Sequence, residues 1–198
     1  MSFHPLYRLT AQVFTTTLLL STIACSAQTG SIPSVKDGVA QAEEPTIFNC
    51  VVQKGDWVTV AKRGNAVSEQ PLMTWATREF GDEYSPKQRC EIVSQKLTDA
   101  VGKNGGTLKS LELTTGKLDN GYTVVCVVRK GEDTCNQDNL LFTLNKNNAK
   151  NPKMVLAKIA NFADGKTQEN NIDESSSLPE FVSLQSLVNR VLPEGNGF

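Results

Sequence analysis

The sequence predicts an α+β fold: a mostly antiparallel sheet with one central helix and two C-terminal helices, stapled by disulfides. Short segments rich in β-branched and aromatic residues fall into two groups, and one helical pattern of apolar residues separates them. Two further helical patterns follow the second group of strands. This order of strands, helix, strands and helices is typical of α+β domains.

The first group contains three predicted strands. Residues 47–52 are rich in β-forming side chains, and a turn at 54–56 connects them to a return strand at 57–61. A second turn at 64–65 precedes a shorter strand at 71–75. Because the connections are short, we expect antiparallel pairing.

The central helix is predicted to begin at Ser85 and Pro86. Serine can accept a hydrogen bond from an unpaired amide at a helix start, and proline suits the first turn because no amide donor is needed there. The glycine-rich residues 102–106 are expected to end the helix. Its predicted apolar face consists of Cys90, Val93, Leu97 and Val101.

The second group of strands is predicted at 108–113, 122–128 and 140–144, with a strong turn signal at 119–121. The run at 122–128 is the clearest strand in the chain, because valine and threonine fill most of it.

Two C-terminal helices complete the predicted domain. One begins at Asn151-Pro152, and the other covers 184–192 with a marked apolar face. Between them, residues 164–177 are polar and are expected to form an exposed loop.

Composition and charge limit the classes of function. The 198 residues are 39% hydrophobic and 21% charged, which is sufficient for a packed core and unlike a disordered chain. The chain has 20 Lys and Arg against 21 Asp and Glu, without a basic stripe. Nucleic-acid-binding proteins normally carry such a stripe, so we expect no nucleic-acid partner.

Residues 1–27 have the layout of a secretory signal peptide. Positive charge precedes an uncharged run at 13–24, which would span about 18 Å as a helix and is short for a bilayer core of about 30 Å. Small residues follow, and cleavage after Ala27 would leave Gln28 as the mature N-terminus. Cleavage after Ala24 is a second option.

Cys25 permits a different interpretation of the same segment. Ile23-Ala24-Cys25 resembles the end of a bacterial lipoprotein box, with Thr22 where leucine is usual. Cys25 would then be the acylated first residue of a lipoprotein, whereas otherwise it is discarded with the signal peptide. An uncleaved anchor is a third alternative, disfavoured by the short apolar run.

The predicted organisation has four parts. Residues 1–27 form the signal peptide, and residues 28–45 form a linker in which small residues, glycine, proline and charge dominate. Residues 46–193 form a single globular domain, and residues 194–198 form a tail.

Four cysteines remain after the signal peptide: Cys50, Cys90, Cys126 and Cys135. An even number in an exported protein predicts two disulfides. Cys126 and Cys135 flank a turn-like stretch and are the favoured pair, because hairpin partners at that separation can bring their β-carbons within reach. Cys50–Cys90 is then the second disulfide, and the two other pairings stay open.

No catalytic, cofactor-binding or metal-binding residue is predicted. The only histidine, His4, lies in the signal peptide, which removes histidine-dependent triads and histidine metal sites from the mature chain. Paired carboxylates remain as candidates for acid–base chemistry, at Asp82-Glu83 or Glu132-Asp133. Adjacent acids in loops are usually only solvated.

Several motifs together resemble the circadian oscillating protein family of cyanobacteria, over about residues 46–192. The motifs are Phe48-x-Cys50, Pro71-Leu72-Met73-x-Trp75, Phe80, Tyr84-Ser85-Pro86-x-x-Arg89-Cys90-x-x-Val93-Ser94, Leu113-Thr114-x-Gly116, Val125-Cys126, Cys135, Leu140-Leu141-Phe142-Thr143-Leu144 and Asn151-Pro152. The resemblance implies a cyanobacterial exported or membrane-peripheral protein. It supplies no catalytic residues.

We therefore expect a non-enzymatic, envelope-associated domain in the periplasm or cell envelope, without a cofactor. Its partner would be an unknown envelope protein or ligand, with peripheral membrane association as an option. An envelope hydrolase that uses acidic residues is the alternative.

Four aromatic residues could line a binding surface: Trp57, Trp75, Phe80 and Tyr84. Of these, we expect Trp75 and Phe80 to pack under the central helix.

Overall fold

Two four-stranded antiparallel sheets and three α-helices make up residues 44–131, 134–163 and 178–192, which the computed structural model describes. The α+β prediction is confirmed, with the strands divided between two sheets. The predicted signal peptide, nearly all of the linker, the loop at 164–177 and the tail lie outside the described residues.

The first sheet is built on a hairpin. Strand β1 (Ile47–Gln53) pairs with β2 (Asp56–Arg63) over its whole length. Lys54 and Gly55 form the turn, and both have positive φ angles, 52° and 91°. Such turns match the natural twist of the two strands, which explains the tight connection.

Two short strands complete this sheet on the far side of β2. Strand β3 (Ala66–Val67) and strand β4 (Met73–Trp75) both pair with β2. The β4 pairing sets Trp75 opposite Trp57.

Helix α1 (Pro86–Lys103) begins with a capping box. The Gln88 amide donates to Ser85 Oγ at 3.4 Å, and the Ser85 amide donates to Gln88 Oε1 at 3.0 Å. These bonds satisfy amides that the first helical turn leaves unpaired. The buried face is the predicted one with Ser94 added, and it packs against strands of both sheets.

The second sheet has the strand order β7-β6-β5-β8. Its strands are β5 (Leu111–Lys117), β6 (Thr123–Arg129), β7 (Leu140–Thr143) and β8 (Phe181–Ser183). Strand β8 was not predicted, since three residues carry little local signal. It forms because Val182 pairs with Leu113 of β5, far away in sequence.

Helices α2 (Pro152–Ala163) and α3 (Leu184–Val191) pack against each other and against β5. Ser183 caps α3, accepting a hydrogen bond from the Ser186 amide at 3.3 Å. Side chains from both sheets and all three helices join in one hydrophobic core.

Two disulfides cross-link this core. Cys50–Cys90 connects β1 to α1 with 5.4 Å between the Cα atoms, and Cys126–Cys135 spans 5.7 Å. The expectation that Cys126 and Cys135 are hairpin partners is wrong, because Cys126 lies opposite Leu140 of β7 and Thr114 of β5. Cys135 precedes β7 and packs over Gly116 instead.

Candidate functional site

Of the two acidic pairs that the sequence offers for catalysis, only Asp82-Glu83 lies within the described residues. Asp82 and Glu83 are exposed on a single 3₁₀ turn, Asp82–Tyr84. Glu132 and Asp133 lie outside the described residues, as do Cys25, Ala27 and Gln28. In the described ranges, no cluster of three or more His, Cys, Asp or Glu side chains is placed to hold a metal ion.

A cluster of aromatic side chains lies where β4, α1 and β7 meet. Trp75 is only 5% exposed, and its ring meets Phe142 edge-on with 5.3 Å between the centroids. The Trp75 indole N–H donates to the buried hydroxyl of Thr59 at 3.0 Å, and the Ser94 hydroxyl lies 3.1 Å from the same oxygen. These contacts fix Trp75 in one orientation, as predicted for a residue beneath the helix.

Arg89 of α1 lies beside this cluster as a half-buried cation. Its guanidinium carbon is 5.6 Å from the Trp75 ring centroid and 5.2 Å from that of Phe80, so both rings are within cation–π range. One terminal nitrogen donates to the carbonyl and hydroxyl oxygens of Thr77. Burial lowers the pKa of Arg89, and the negative charge of Glu79 partly opposes this effect.

Two open grooves share the cluster of Trp75, Phe80, Arg89, Phe142 and Thr143 as a common wall. We call them the tyrosine groove and the α2 groove. The tyrosine groove encloses about 520 Å³ and adds Tyr84, Ile92, Val93, Lys96, Tyr122, Leu140 and Leu141 to that wall. The α2 groove, about 670 Å³, extends instead along residues of β4 and α2, including Met73, Val155, Lys158, Ile159 and Phe162.

The tyrosine groove has unusually exposed apolar walls. Tyr84, Ile92 and Tyr122 are 52%, 41% and 60% exposed, and they are three of the seven large hydrophobic residues left exposed in the described ranges. The other four do not line this groove. Clustered exposure of this kind marks interaction sites, whereas isolated exposed apolar residues are ordinary.

Lys96 lines the tyrosine groove beside β7. Its ammonium group donates to the carbonyl oxygen of Leu140 at 2.7 Å, and burial lowers its pKa. The side chain also borders a smaller groove of about 380 Å³, where Asp99 and Asp138 are accompanied by Lys103. Acidic and basic side chains are therefore mixed in the smaller groove, whereas the charged side chains that line the tyrosine groove are all positive.

The sequence pointed to some of these residues and missed others. Tyr84 is among the aromatic residues that the sequence indicates for a binding surface, whereas no pattern in the sequence predicts a role for Ile92, Lys96 or Tyr122. Arg89 stood out only through the family resemblance. A partial signal was present, because Arg89 lies four residues before the buried Val93 and therefore on the same side of α1.

In the described residues, no helix is both long enough and apolar enough to span a lipid bilayer.

A protein-family model matches this chain. The family model described as "Circadian oscillating protein COP23" matches residues 47–189, which is most of the chain. No curated protein and no solved structure matches significantly. The matched range contains both disulfides, α1 and all the side chains that line the tyrosine groove. The chain therefore belongs to the circadian oscillating protein COP23 family, as the motifs of its sequence indicated.

Proposed function

We propose that this protein is an exported, envelope-associated domain that acts by binding a ligand in the tyrosine groove and not by catalysis. The observation that carries the proposal is the clustering of exposed apolar side chains around a half-buried arginine. Tyr84, Ile92 and Tyr122 line the same concave surface as Arg89. Apolar and aromatic walls with few polar groups are the usual composition of small-molecule sites, which occupy about 300–1,000 Å³.

The cysteines support export. Two disulfides, Cys50–Cys90 and Cys126–Cys135, use every cysteine of the described residues. Disulfides of this structural kind form in oxidising compartments and are rare in reducing ones. The signal peptide predicted at residues 1–27 agrees with this location.

The alternative, an envelope hydrolase with acidic catalytic residues, has less support. Such chemistry needs two carboxyl groups facing one substrate, about 5–9.5 Å apart. Among the described residues, Asp56 is the only acid that lines either the tyrosine groove or the α2 groove. We therefore favour binding.

Export is tested on the full chain expressed in a cyanobacterial host. We expect the mature protein in the envelope fraction, beginning at Gln28, with no free thiols before reduction. A diacylglyceryl mass on Cys25 would establish the lipoprotein form instead. An intact N-terminus in the cytoplasmic fraction, with all five cysteines as free thiols, would refute export.

Binding is tested with the neutral dye N-phenyl-1-naphthylamine, whose fluorescence rises in apolar sites. We expect saturable binding at one site, weakened by Tyr122→Ser and by Tyr84→Ser. Phe181→Ser is the matched control, because Phe181 is 50% exposed on β8 and does not line the groove. Equal loss in all three variants, or no saturable binding, would refute the groove as the binding site.

A further inference from the structure

The charges of the tyrosine groove identify a class of ligand more narrowly, on the basis of the proposed binding function. Arg89 and Lys96 are the only ionised side chains that line it within the described residues. A cationic ligand would be repelled, and a neutral one would gain no ion pair with either side chain. An anionic ligand would complement both.

The desolvation of these two cations also favours an anionic ligand. Burial lowers the pKa of Arg89 and the pKa of Lys96, which means that each positive charge is held in an unfavourable environment. A bound anion would relieve this cost, since an opposite charge nearby favours the ionised form.

The local charge balance favours a single negative charge on the ligand. Glu79 acts on Arg89 electrostatically and offsets part of the positive charge. Two positive side chains, Arg89 and Lys96, and one negative side chain, Glu79, therefore leave a net charge of one positive unit beside the groove. A carboxylate fits this arrangement better than a doubly charged phosphate.

The apolar part of the ligand follows from the remaining walls. Tyr84, Ile92 and Tyr122 form an exposed surface beside the two cations, and Phe80 and Phe142 extend it. An open groove of about 520 Å³ suits one chain or ring system. A hydrocarbon chain laid here would be stabilised by each CH₂ group that it buries against these walls.

We propose that the tyrosine groove binds a single-chain amphipathic carboxylate, with its headgroup beside Arg89 and Lys96 and its chain over Tyr84, Ile92 and Tyr122. The cations select the headgroup, and the exposed apolar walls hold the chain.

The test uses dodecanoate, measured by calorimetry below its micelle concentration on the mature, disulfide-bonded protein. Dodecyltrimethylammonium and monododecanoyl glycerol present the same chain length with a positive and a neutral headgroup, and dodecyl phosphate supplies the doubly charged one. We expect dodecanoate to bind with one-to-one stoichiometry, at least tenfold more tightly than the other three.

Lys96→Gln separates headgroup recognition from chain binding. We expect this variant to bind dodecanoate about tenfold more weakly, which corresponds to the loss of about 1.4 kcal/mol of binding free energy. Its affinity for the neutral glyceride should be unchanged. Lys87→Gln is the matched control: it lies on the same helix and contacts the ring of Trp57 outside this groove. Because Lys96 also donates a hydrogen bond to Leu140, the salt dependence of binding to the wild-type protein is a second measurement. Added salt should weaken binding of dodecanoate and leave binding of the neutral glyceride unchanged.

Three outcomes would overturn the carboxylate ligand: equal affinity for the neutral or cationic compound, tighter binding of dodecyl phosphate, or dodecanoate binding that neither salt nor Lys96→Gln reduces. None of these removes saturable binding of the neutral dye. Loss of headgroup selectivity is therefore distinguishable from failure of the proposed binding function.

Discussion

Gly116 provides the sharpest test of how the second disulfide is accommodated. The residue lies in β5, and a β-carbon built on it would be 2.7 Å from the β-carbon of Cys135 and 2.8 Å from its sulfur. Because real β-carbons do not approach other atoms this closely, Gly116→Ala must push Cys135 outward by about 0.7 Å to restore ordinary contact.

The expected cost combines two opposing effects. Overpacking of a tight contact destabilises by about 1–3 kcal/mol. Replacing glycine with alanine restricts the unfolded chain and thereby stabilises the folded state by about 0.4–1 kcal/mol. We therefore expect Gly116→Ala to lower the free energy of unfolding by about 1–2 kcal/mol. If the displacement also prevents disulfide formation, the loss approaches about 3 kcal/mol, the chain-entropy value for cysteines separated by 9 residues.

The assay is urea unfolding followed by circular dichroism, with the disulfide state checked by mass spectrometry. Gly102→Ala is the matched control, because no atom lies within 4 Å of its added β-carbon and the residue is in α1. It should stabilise the protein by about 0.5–1 kcal/mol, so the two substitutions should change the free energy of unfolding in opposite directions.

A second background isolates the contact with Cys135. In the Cys126→Ala/Cys135→Ala protein, the segment before β7 is no longer tied to β6 and can move away. Gly116→Ala should then cost less than half of its effect in the disulfide-bonded protein. Unchanged stability of Gly116→Ala with both disulfides formed, or an equal loss in both backgrounds, would refute the contact as the cause.

Three further substitutions test other parts of the structure. Thr59→Val should lower the free energy of unfolding by about 1–3 kcal/mol, because it removes the acceptor of the Trp75 indole N–H. In urea unfolding, this loss should be smaller in a Trp75→Phe background if that hydrogen bond is responsible. Ser85→Ala should cost about 1 kcal/mol by removing the cap of α1, whereas Ser85→Asp should retain most of the stability; equal losses would contradict a capping role. The hydrogen bond and charge of Lys153 lower the pKa of Glu180, so this pair should contribute stability above the ordinary value of 4.5 and lose it as the pH falls through the lowered value. In acid unfolding, the stability of Glu180→Gln should lack this pH-dependent contribution. A pH profile identical to that of the wild-type protein would contradict a stabilising role for the pair.

Local chemistry explains why much of the secondary structure was predictable. Helix α1 begins where Ser85 and Pro86 satisfy the first turn, and its buried face follows the helical repeat of apolar residues. Strand β6 is a run of β-branched residues, and the positive φ angles of Lys54 and Gly55 mark a hairpin turn visible from adjacent residues. In each case the deciding interactions lie within a few residues of one another.

Non-local pairing explains what was missed. Strand β8 exists only because it pairs with β5, and Cys135 contacts Gly116 although neither residue's neighbours indicate it. The tyrosine groove likewise joins Tyr84, Lys96 and Tyr122 from three separate segments.

The sequence by itself determined the α+β class, the disulfide-forming cysteines, the start of α1 near Ser85 and the family. Caps and periodicity are properties of neighbouring residues, and the order of the motifs is read directly along the chain. Only the tertiary structure decided the division into two sheets, the position of Cys135 and the grouping of exposed apolar residues beside Arg89. These depend on which distant segments bury surface against one another, and that choice is made by the packing of the whole core rather than by any single segment.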